Sequence, residues 1–280
     1  MTEPIFPCLW FDGQAQEAAT FYCSLFEQSK LLSTDPLVSL WELQGVKIMG
    51  LNGGPQFKIT PSISFFVTCE HDEEIDALWN KLKEGGRIYM DLNAYPWSER
   101  YGWCGDRFGV TWQLYKGRMD EVNQKVVPLL LFSDRNYGRA EEAIQFYLKL
   151  FPKSVSEGIL FYGEEEETSK GKVMHSQFRL NQGVFMAMDG PGNHDFQFNE
   201  GLSFVITCNN QEEIDYYWHN LIADGGEEGN CGWCKDKFGV SWQVIPAILP
   251  TLMADASKRT AVMQAFLSMK KFDLETLLAI

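Results

Sequence analysis

An α+β chain of four strand–helix–strands modules, arranged as two tandem copies and closed by a helical tail, is what this sequence predicts. Three observations predict it. Gly102-Trp103-Cys104-Gly105-Asp106-Arg107-Phe108-Gly109-Val110-Thr111-Trp112-Gln113 returns as Gly232-Trp233-Cys234-Lys235-Asp236-Lys237-Phe238-Gly239-Val240-Ser241-Trp242-Gln243. Ala18, Phe21, Tyr22, Leu25 and Phe26 return as Ala143, Phe146, Tyr147, Leu150 and Phe151, and Ser64 to Cys69 returns as Ser203 to Cys208. The interval between matched blocks changes only by short insertions and far exceeds the roughly 20 to 50 residues of a solenoid unit, so the repeat is a duplicated domain. Lys116, Arg118, Asp120, Glu121 and Asn123 interrupt the apolar pattern near Gly117 to Gln124, which sets the expected domains at 1–120 and 121–250, with a tail at 251–280.

Each element follows in order. Ile5 to Phe11 is an apolar run ending at Asp12-Gly13 and reads as a buried strand. Ala18, Phe21, Tyr22, Leu25 and Phe26 then lie at i, i+3, i+4, i+7 and i+8, one face of a helix. Val38 to Leu43 and Val46 to Leu51 read as strands turned at Gln44-Gly45, before Asn52-Gly53-Gly54-Pro55 breaks the chain. Ser62 to Cys69 reads as a strand, and Ile75, Leu78, Trp79 and Leu82 mark a helix entered at His71-Asp72. Gly85-Gly86 supplies its left-handed stop, a conformation that residues with a Cβ resist. Arg87 to Arg100, with Tyr95-Pro96-Trp97, reads as a long loop over its cleft, and Val110 to Tyr115 as the closing strand.

The second copy repeats the layout with Val126 to Phe132, a helix through Phe146 and Phe151, and strands at Ile159 to Tyr162, Val173 to Leu180, Val184 to Met188 and Leu202 to Cys208. Its next helix has Asn210 placed as N-cap and Glu213 three residues on, with Ile214, Tyr217, Trp218 and Leu221 on the buried face and Gly225-Gly226 at its end. Beyond Pro250 the repeat stops. Val262, Ala265, Phe266 and Met269 form a helical stripe, and Asp273 is placed to cap a last short helix carrying Leu274, Leu277 and Leu278. A tail covering its own domain is favoured over a subunit contact, which leaves a homodimer open.

Bulk properties narrow the function. At 280 residues, 45% hydrophobic and 22% charged, the chain suits two globular domains. It has no basic-then-apolar leader and no apolar run near the roughly 18 residues of a membrane helix, so a cytoplasmic protein is expected. A net charge of −14 repels phosphate backbones and anionic headgroups, which argues against nucleic-acid and membrane partners. Glu164 to Glu167 reads as a solvated hairpin loop. Seven cysteines, five of them (Cys8, Cys23, Cys69, Cys208 and Cys234) in apolar or repeat-matched segments, read as buried free thiols. Cys231-Gly232-Trp233-Cys234 has redox-pair spacing, but the matching block opens with Tyr101 and no second pair exists to complete a zinc site.

Trp10-Phe11-Asp12-Gly13 ahead of a helix with Ala18 and Phe21-Tyr22, together with the Asp-x-Phe-Gly-Val-x-Trp-Gln strands at Asp106 and Asp236, resembles the two-domain PhnB-like branch of the glyoxalase, bleomycin-resistance and extradiol dioxygenase superfamily, the vicinal oxygen chelate proteins. The resemblance implies glyoxalase-like domains, each of two βαβββ modules forming an incomplete curled β-barrel around a cleft. It also implies metal ligands on the first and last strands of the modules in metal-using members. Here Gln113 and Gln243 stand where those members carry Glu, and an amide brings no charge to an ion. The opening strands hold no His or carboxylate, and Val46 to Leu51 and Val184 to Met188 offer Met49, Met186 and Met188. No metal and no cofactor are therefore expected.

Of four histidines, His71 and His219 fall at or within helices, His194 in a Gly-Pro loop, and His175 on a strand where it could face the cleft or stand as a satisfied edge residue. Some PhnB-like proteins carry a methyltransferase label, yet Asp12-Gly13-Gln14-Ala15 and Ser133-Asp134-Arg135-Asn136 lack the glycine-rich turn that holds a nucleotide-type methyl donor. No Gly-x-Ser-x-Gly elbow appears either. The reading reached is a small-molecule binder, with Trp10 and Gln113 lining the cleft of one half and His175 and Gln243 that of the other, for a neutral or cationic ligand. The second, more open half is expected to bind if only one does. The alternative is a metal-dependent lyase, isomerase or dioxygenase using Gln113 or Gln243.

Overall fold

The computed structural model describes residues 4–280. Residues 7–202 pack as one compact unit, and Ser203–Ile280 with residues 4–6 as another.

The larger unit opens with strand β1 (Phe6–Phe11), helix α1 (Ala15–Leu25) and strands β2 (Lys30–Thr34), β3 (Val38–Leu43) and β4 (Val46–Asn52), ordered β1-β4-β3-β2 with β1 and β4 parallel. Next come β5 (Ile63–Cys69), α2 (Asp72–Leu82), β6 (Arg87–Tyr95), β7 (Ser98–Gly105), β8 (Thr111–Lys116) and the short α3 (Met119–Val122). The second copy supplies β9 (Val126–Phe132), α4 (Ala140–Leu150), β10 (Val155–Phe161), β11 (Val173–Leu180) and β12 (Gly183–Asp189). These strands form one open, mixed, eight-stranded sheet in the order β10-β11-β12-β9-β5-β8-β7-β6.

Its centre is the antiparallel pair β5–β9, with Ser64 opposite Leu129 and Phe66 opposite Val127. The sheet therefore joins the second module of the first copy to the first module of the second, across the repeat boundary. Every residue of β5 and β9 is buried, as continuous apolar strands covered on both faces should be. Helix α2 covers the outer face with Ile75, Leu78, Trp79 and Leu82.

The smaller unit holds β13 (Leu202–Cys208), α5 (Gln211–Leu221), β14 (Glu227–Glu228), β15 (Trp233–Lys235) and β16 (Ser241–Pro246), ordered β14-β15-β16-β13. Asn210 caps α5 by accepting the Glu213 N–H at 2.8 Å, as expected. The tail forms α6 (Leu249–Ala254), α7 (Arg259–Leu267) and α8 (Leu274–Leu278), and the Asp273 carboxylate caps α8 by accepting from Thr276 N at 2.7 Å. It docks on its own unit: Cys231 N and Gly232 N donate to Met269 O and Lys270 O at 2.7 Å each, and Val262, Phe272 and Leu277 are buried.

Two expectations are corrected. Arg87 to Arg100 is not a loop but most of the β6–β7 hairpin, whose repeated register shifts curl it, and β2 is a strand that the pattern did not announce. Among the thiols, Cys23 is only partly buried, whereas Cys104 is buried; all seven are free. No helix of the described residues is long and apolar enough to cross a membrane.

Candidate ligand groove

The duplicated Asp-x-Phe-Gly-Val-x-Trp-Gln motif builds the floor from which the site rises. Asp106 Oδ1 accepts from Phe108 N at 2.8 Å and Val110 N at 3.1 Å, closing the turn into β8. Its Oδ2 accepts from Trp112 Nε1 at 2.8 Å and from the Tyr22 hydroxyl at 2.7 Å, so the turn is tied both to its own strand and to α1. Burial pushes the carboxyl up to about 6 despite these four donors. Asp236 repeats the arrangement with Phe238 N, Val240 N and Trp242 Nε1 at 2.9, 3.1 and 2.9 Å. The motif is thus an internal brace that fixes the closing strand, and Gln113 and Gln243 follow one residue later.

On β8, Gln113 points to the face opposite Trp112 and is 3% exposed. Its Oε1 accepts from the Tyr101 hydroxyl at 2.7 Å and its Nε2 donates to Ser64 Oγ at 2.8 Å, which locks the amide. Phe66 and Tyr115 share this face, their rings 5.4 Å apart, and Trp103 stands opposite Gln113 on β7. The Trp103 Nε1 is buried and donates to no protein acceptor. Val127, Leu129 and Leu131 of β9 and Val184 and Met186 of β12 complete an apolar cluster with Phe66 and Tyr101, against which Met90, Tyr95 and Met188 pack.

His175 of β11 meets this face, its ring 5.9 Å from that of Phe66. Three interstrand steps separate β5 from β11, about 14 Å on a flat sheet; the contact therefore requires the sheet to curl, so that its inner face is concave and largely filled by these side chains. Burial pushes the imidazole down to about 4, so near neutral pH His175 offers a neutral hydrogen-bonding ring and not a cation.

The expected grouping of site residues changes accordingly. Gln113 and His175, assigned to separate halves, lie on one groove. Trp10 is on β1, where its Nε1 donates to Gly54 O at 2.7 Å and its ring meets Phe57 edge-on at 5.0 Å. A Cβ on Gly53 would lie 2.1 Å from that ring, so Trp10 is packed down on its own loop. Gln243 is in the smaller unit, 5% exposed, with Nε2 donating to Ser203 Oγ at 3.0 Å, a repeat of the Ser64–Gln113 pair. In that copy Cys231 replaces Tyr101, Val205 replaces Phe66 and Ile245 replaces Tyr115, so the aromatic face belongs to the first copy. Tyr101, Trp103, Phe66 and Tyr115 were missed as site residues. Their signal was alternation: aromatics two apart in Tyr101-Gly102-Trp103, and Tyr115 two residues beyond Gln113 on the same face of the neighbouring strand.

The fold supplies a test of the donor set. The first and last strands of the two modules in this groove are β5, β8, β9 and β12, and their facing residues meet at Ser64, Gln113, Leu129 and Met186: Ser64 pairs with Leu129, Leu129 with Met186, and Gln113 with Ser64. Two neutral polar groups and two apolar ones do not fit a divalent cation. Among the described residues no three His, Cys, Asp or Glu side chains gather as a metal cluster. Elsewhere, the Cys231 and Cys234 thiols are both pushed up by burial, the opposite of a reactive pair. His194 sits in its loop with Nε2 3.2 Å from Pro191 O, and Glu164 to Glu167 lie exposed in a turn.

Open curled mixed sheets built from repeated strand–helix–strands modules define a glyoxalase-like, vicinal-oxygen-chelate protein, and glyoxalase I from Zea mays shares the fold, with a TM-score of 0.60 at 10% identity over 91% of this chain and 97% of that one. More narrowly, the chain belongs to the PhnB-like family whose model, described as 3-demethylubiquinone-9 3-methyltransferase, matches residues 3–115 and again 124–245. A solved Bacillus cereus protein described as a PhnB protein of the 3-demethylubiquinone-9 3-methyltransferase type is 36% identical, covering 41% of this chain and 100% of that one, with a TM-score of 0.39. A solved Pseudomonas aeruginosa protein is 24% identical over 41% of this chain and 98% of that one, with a TM-score of 0.36. No curated protein matches.

Proposed function

We propose that this chain binds a small planar organic molecule in the β10–β6 groove, without a metal ion. The observation that carries the reading is the meeting of Ser64, Gln113, Leu129 and Met186 on the strands where the resemblance puts the His, Glu or Gln ligands of metal-using members, which leaves Gln113 without a charged or imidazole companion. An ion at Gln113 would have to displace the Tyr101 hydroxyl and would gain no charge compensation. The aromatic and Met-lined face offers adaptable apolar contact, and the locked amide fixes orientation. A net charge of −14 favours a neutral or cationic ligand over an anion.

Methyl transfer, the activity in the family's description, finds no support in the helix N-termini that would hold an anionic donor group. The Ala15 N–H at the start of α1 is taken by Asn52 Oδ1 at 2.9 Å, and Gly138 N and Ala140 N before α4 by Asp189 Oδ1 at 2.8 and 3.2 Å. Burial holds His175 neutral near pH 7, so it meets a ligand as a hydrogen-bonding ring and not as a cation.

Chelator-treated protein is expected to bind a planar aromatic from a thermal-shift panel, with a melting temperature that rises with ligand concentration, and to show no turnover with S-adenosylmethionine. A stoichiometric divalent cation that survives purification and is lost in Gln113→Ala would establish the metal-dependent lyase, isomerase or dioxygenase reading instead.

A further inference from the structure

We propose that the tip of the β6–β7 hairpin and Tyr115 form an aromatic slot at the mouth of the groove, specific for an uncharged planar ring, with Trp97 as the residue that sets affinity. The inference rests on the groove reading and specifies its ligand.

Trp97 is 57% exposed, unusual for so large an apolar side chain without a partner surface. Nonetheless it is held firmly. Its ring stacks on Tyr95 at 5.0 Å and 20°, and meets Tyr101 edge-on at 6.2 Å and 71°. Tyr95 is in turn edge-on to Tyr101 at 5.8 Å and donates its hydroxyl to Asp91 O at 2.9 Å, while Ser98 Oγ, just past the turn, bonds the Arg100 backbone at 2.9 and 3.2 Å. A pre-positioned aromatic ring loses little side-chain entropy when a ligand stacks on it.

Trp97, Tyr95 and Tyr115 line one shallow, wide-open depression of about 510 Å³. Tyr115 continues inward to Phe66 at 5.4 Å, and Phe66 to His175 at 5.9 Å. An aromatic path thus runs from the hairpin tip to the groove floor, where Tyr101 hands its hydroxyl to Gln113.

The charge pattern selects the ligand. Four charged side chains line the cavity: Glu99, Lys116, Arg118 and Glu121. Lys116 lies 3.1 Å from Asp72 and 3.5 Å from Glu99, and Arg118 lies 2.5 Å from Asp120 and 3.8 Å from Glu121. The two acids and two bases of the lining balance, and both cations are held by acids, so no free cation faces the slot to draw an anion. Recognition falls to the rings, and salt should matter little. The matching hairpin of the other copy, β14–β15, carries Gly229-Asn230-Cys231-Gly232 between its strands and no aromatic tip.

Acridone, a neutral fluorescent tricycle, tests the slot on the full chain. We expect saturable one-to-one binding, weakened about tenfold by Trp97→Ala and under about threefold by Trp97→Phe. Because Trp97 is exposed, both variants should melt as the wild type does. The dissociation constant should change less than about twofold from low to high salt. Should Trp97→Ala bind acridone as tightly as wild type while Phe66→Ala loses it, the slot is overturned and the groove stands. Preference for the cationic analogue proflavine, growing as salt falls, would overturn the uncharged-ring specificity. Wild-type protein that shows no saturable acridone binding overturns both the slot and the groove reading.

Discussion

At the residue scale, the repeated Asp-x-Phe-Gly-Val-x-Trp-Gln motif gave away the duplication and the family, yet its most chemical-looking member is internal. Asp106 is a buried carboxyl with four donors around it, and two effects oppose: the donors favour the charged form, and burial disfavours it. Burial wins, placing the group at about 6 against 3.8 when unfolded. The folded state therefore holds the proton more tightly between those values, and stability falls as pH rises through that window, by on the order of 3 kcal/mol. Asp106→Asn removes the titration but sets an amide N–H against Trp112 Nε1, a donor facing a donor, and should destabilise the protein by about 2–4 kcal/mol at neutral pH. Urea unfolding of both proteins should show the gap widening between pH 7 and pH 4.5. A gap that narrows on acidification would mean that the four donors outweigh desolvation. Sequence singled out Gln113 from the motif, but not the partners Tyr101 and Ser64 that hold its amide, because their contact depends on strand register that only pairing reveals.

At the element scale, legibility followed burial. Strands β5 and β9, buried throughout, and helices α1, α2, α4 and α5, with one buried face each, were readable from apolar spacing. Strand β2 is exposed at every position, a sheet edge with no buried face to imprint an alternation, and of β10, an edge nearly as exposed, only the stretch from Ile159 was readable. Strand β6 escaped because its bulges shift the register three times, so polar and apolar residues lose their period of two. The tail was readable as helices, but its docking rests on a turn. Gly232 has φ +80, and a Cβ there would sit 2.5 Å from Phe272 and 2.6 Å from Val244 O. Gly109 has nearly the same φ, +83, with nothing within 4 Å. Gly109→Ala should thus cost only the left-handed strain, about 1 kcal/mol, and Gly232→Ala about 3–4 kcal/mol. Adding Phe272→Ala should not restore Gly232→Ala, since the carbonyl of Val244 cannot move aside. Equal unfolding midpoints for the two alanine variants would remove the turn from its role in seating the tail.

At the scale of the whole chain, the repeat announced two copies but not how their strands combine. Sequence identity between copies reports ancestry, whereas pairing is decided by which buried edges meet, and β5 meets β9 across the copy boundary. The aromatic groove consequently draws Gln113, Phe66 and Tyr101 from one copy and His175 and Met186 from the other. Cutting the chain within 117–124 separates these contributions and leaves β5 and β9 as bare apolar edges, since neither strand has an exposed residue. Such edges pair with whatever strand is available. Residues 1–120 or 121–280 expressed alone should therefore self-associate or aggregate, and co-expression should recover a one-to-one complex that binds the groove ligand. Size-exclusion chromatography with light scattering distinguishes these states. Two halves that are each monomeric, cooperatively folded and indifferent to one another would show that the β5–β9 junction does not hold the groove together.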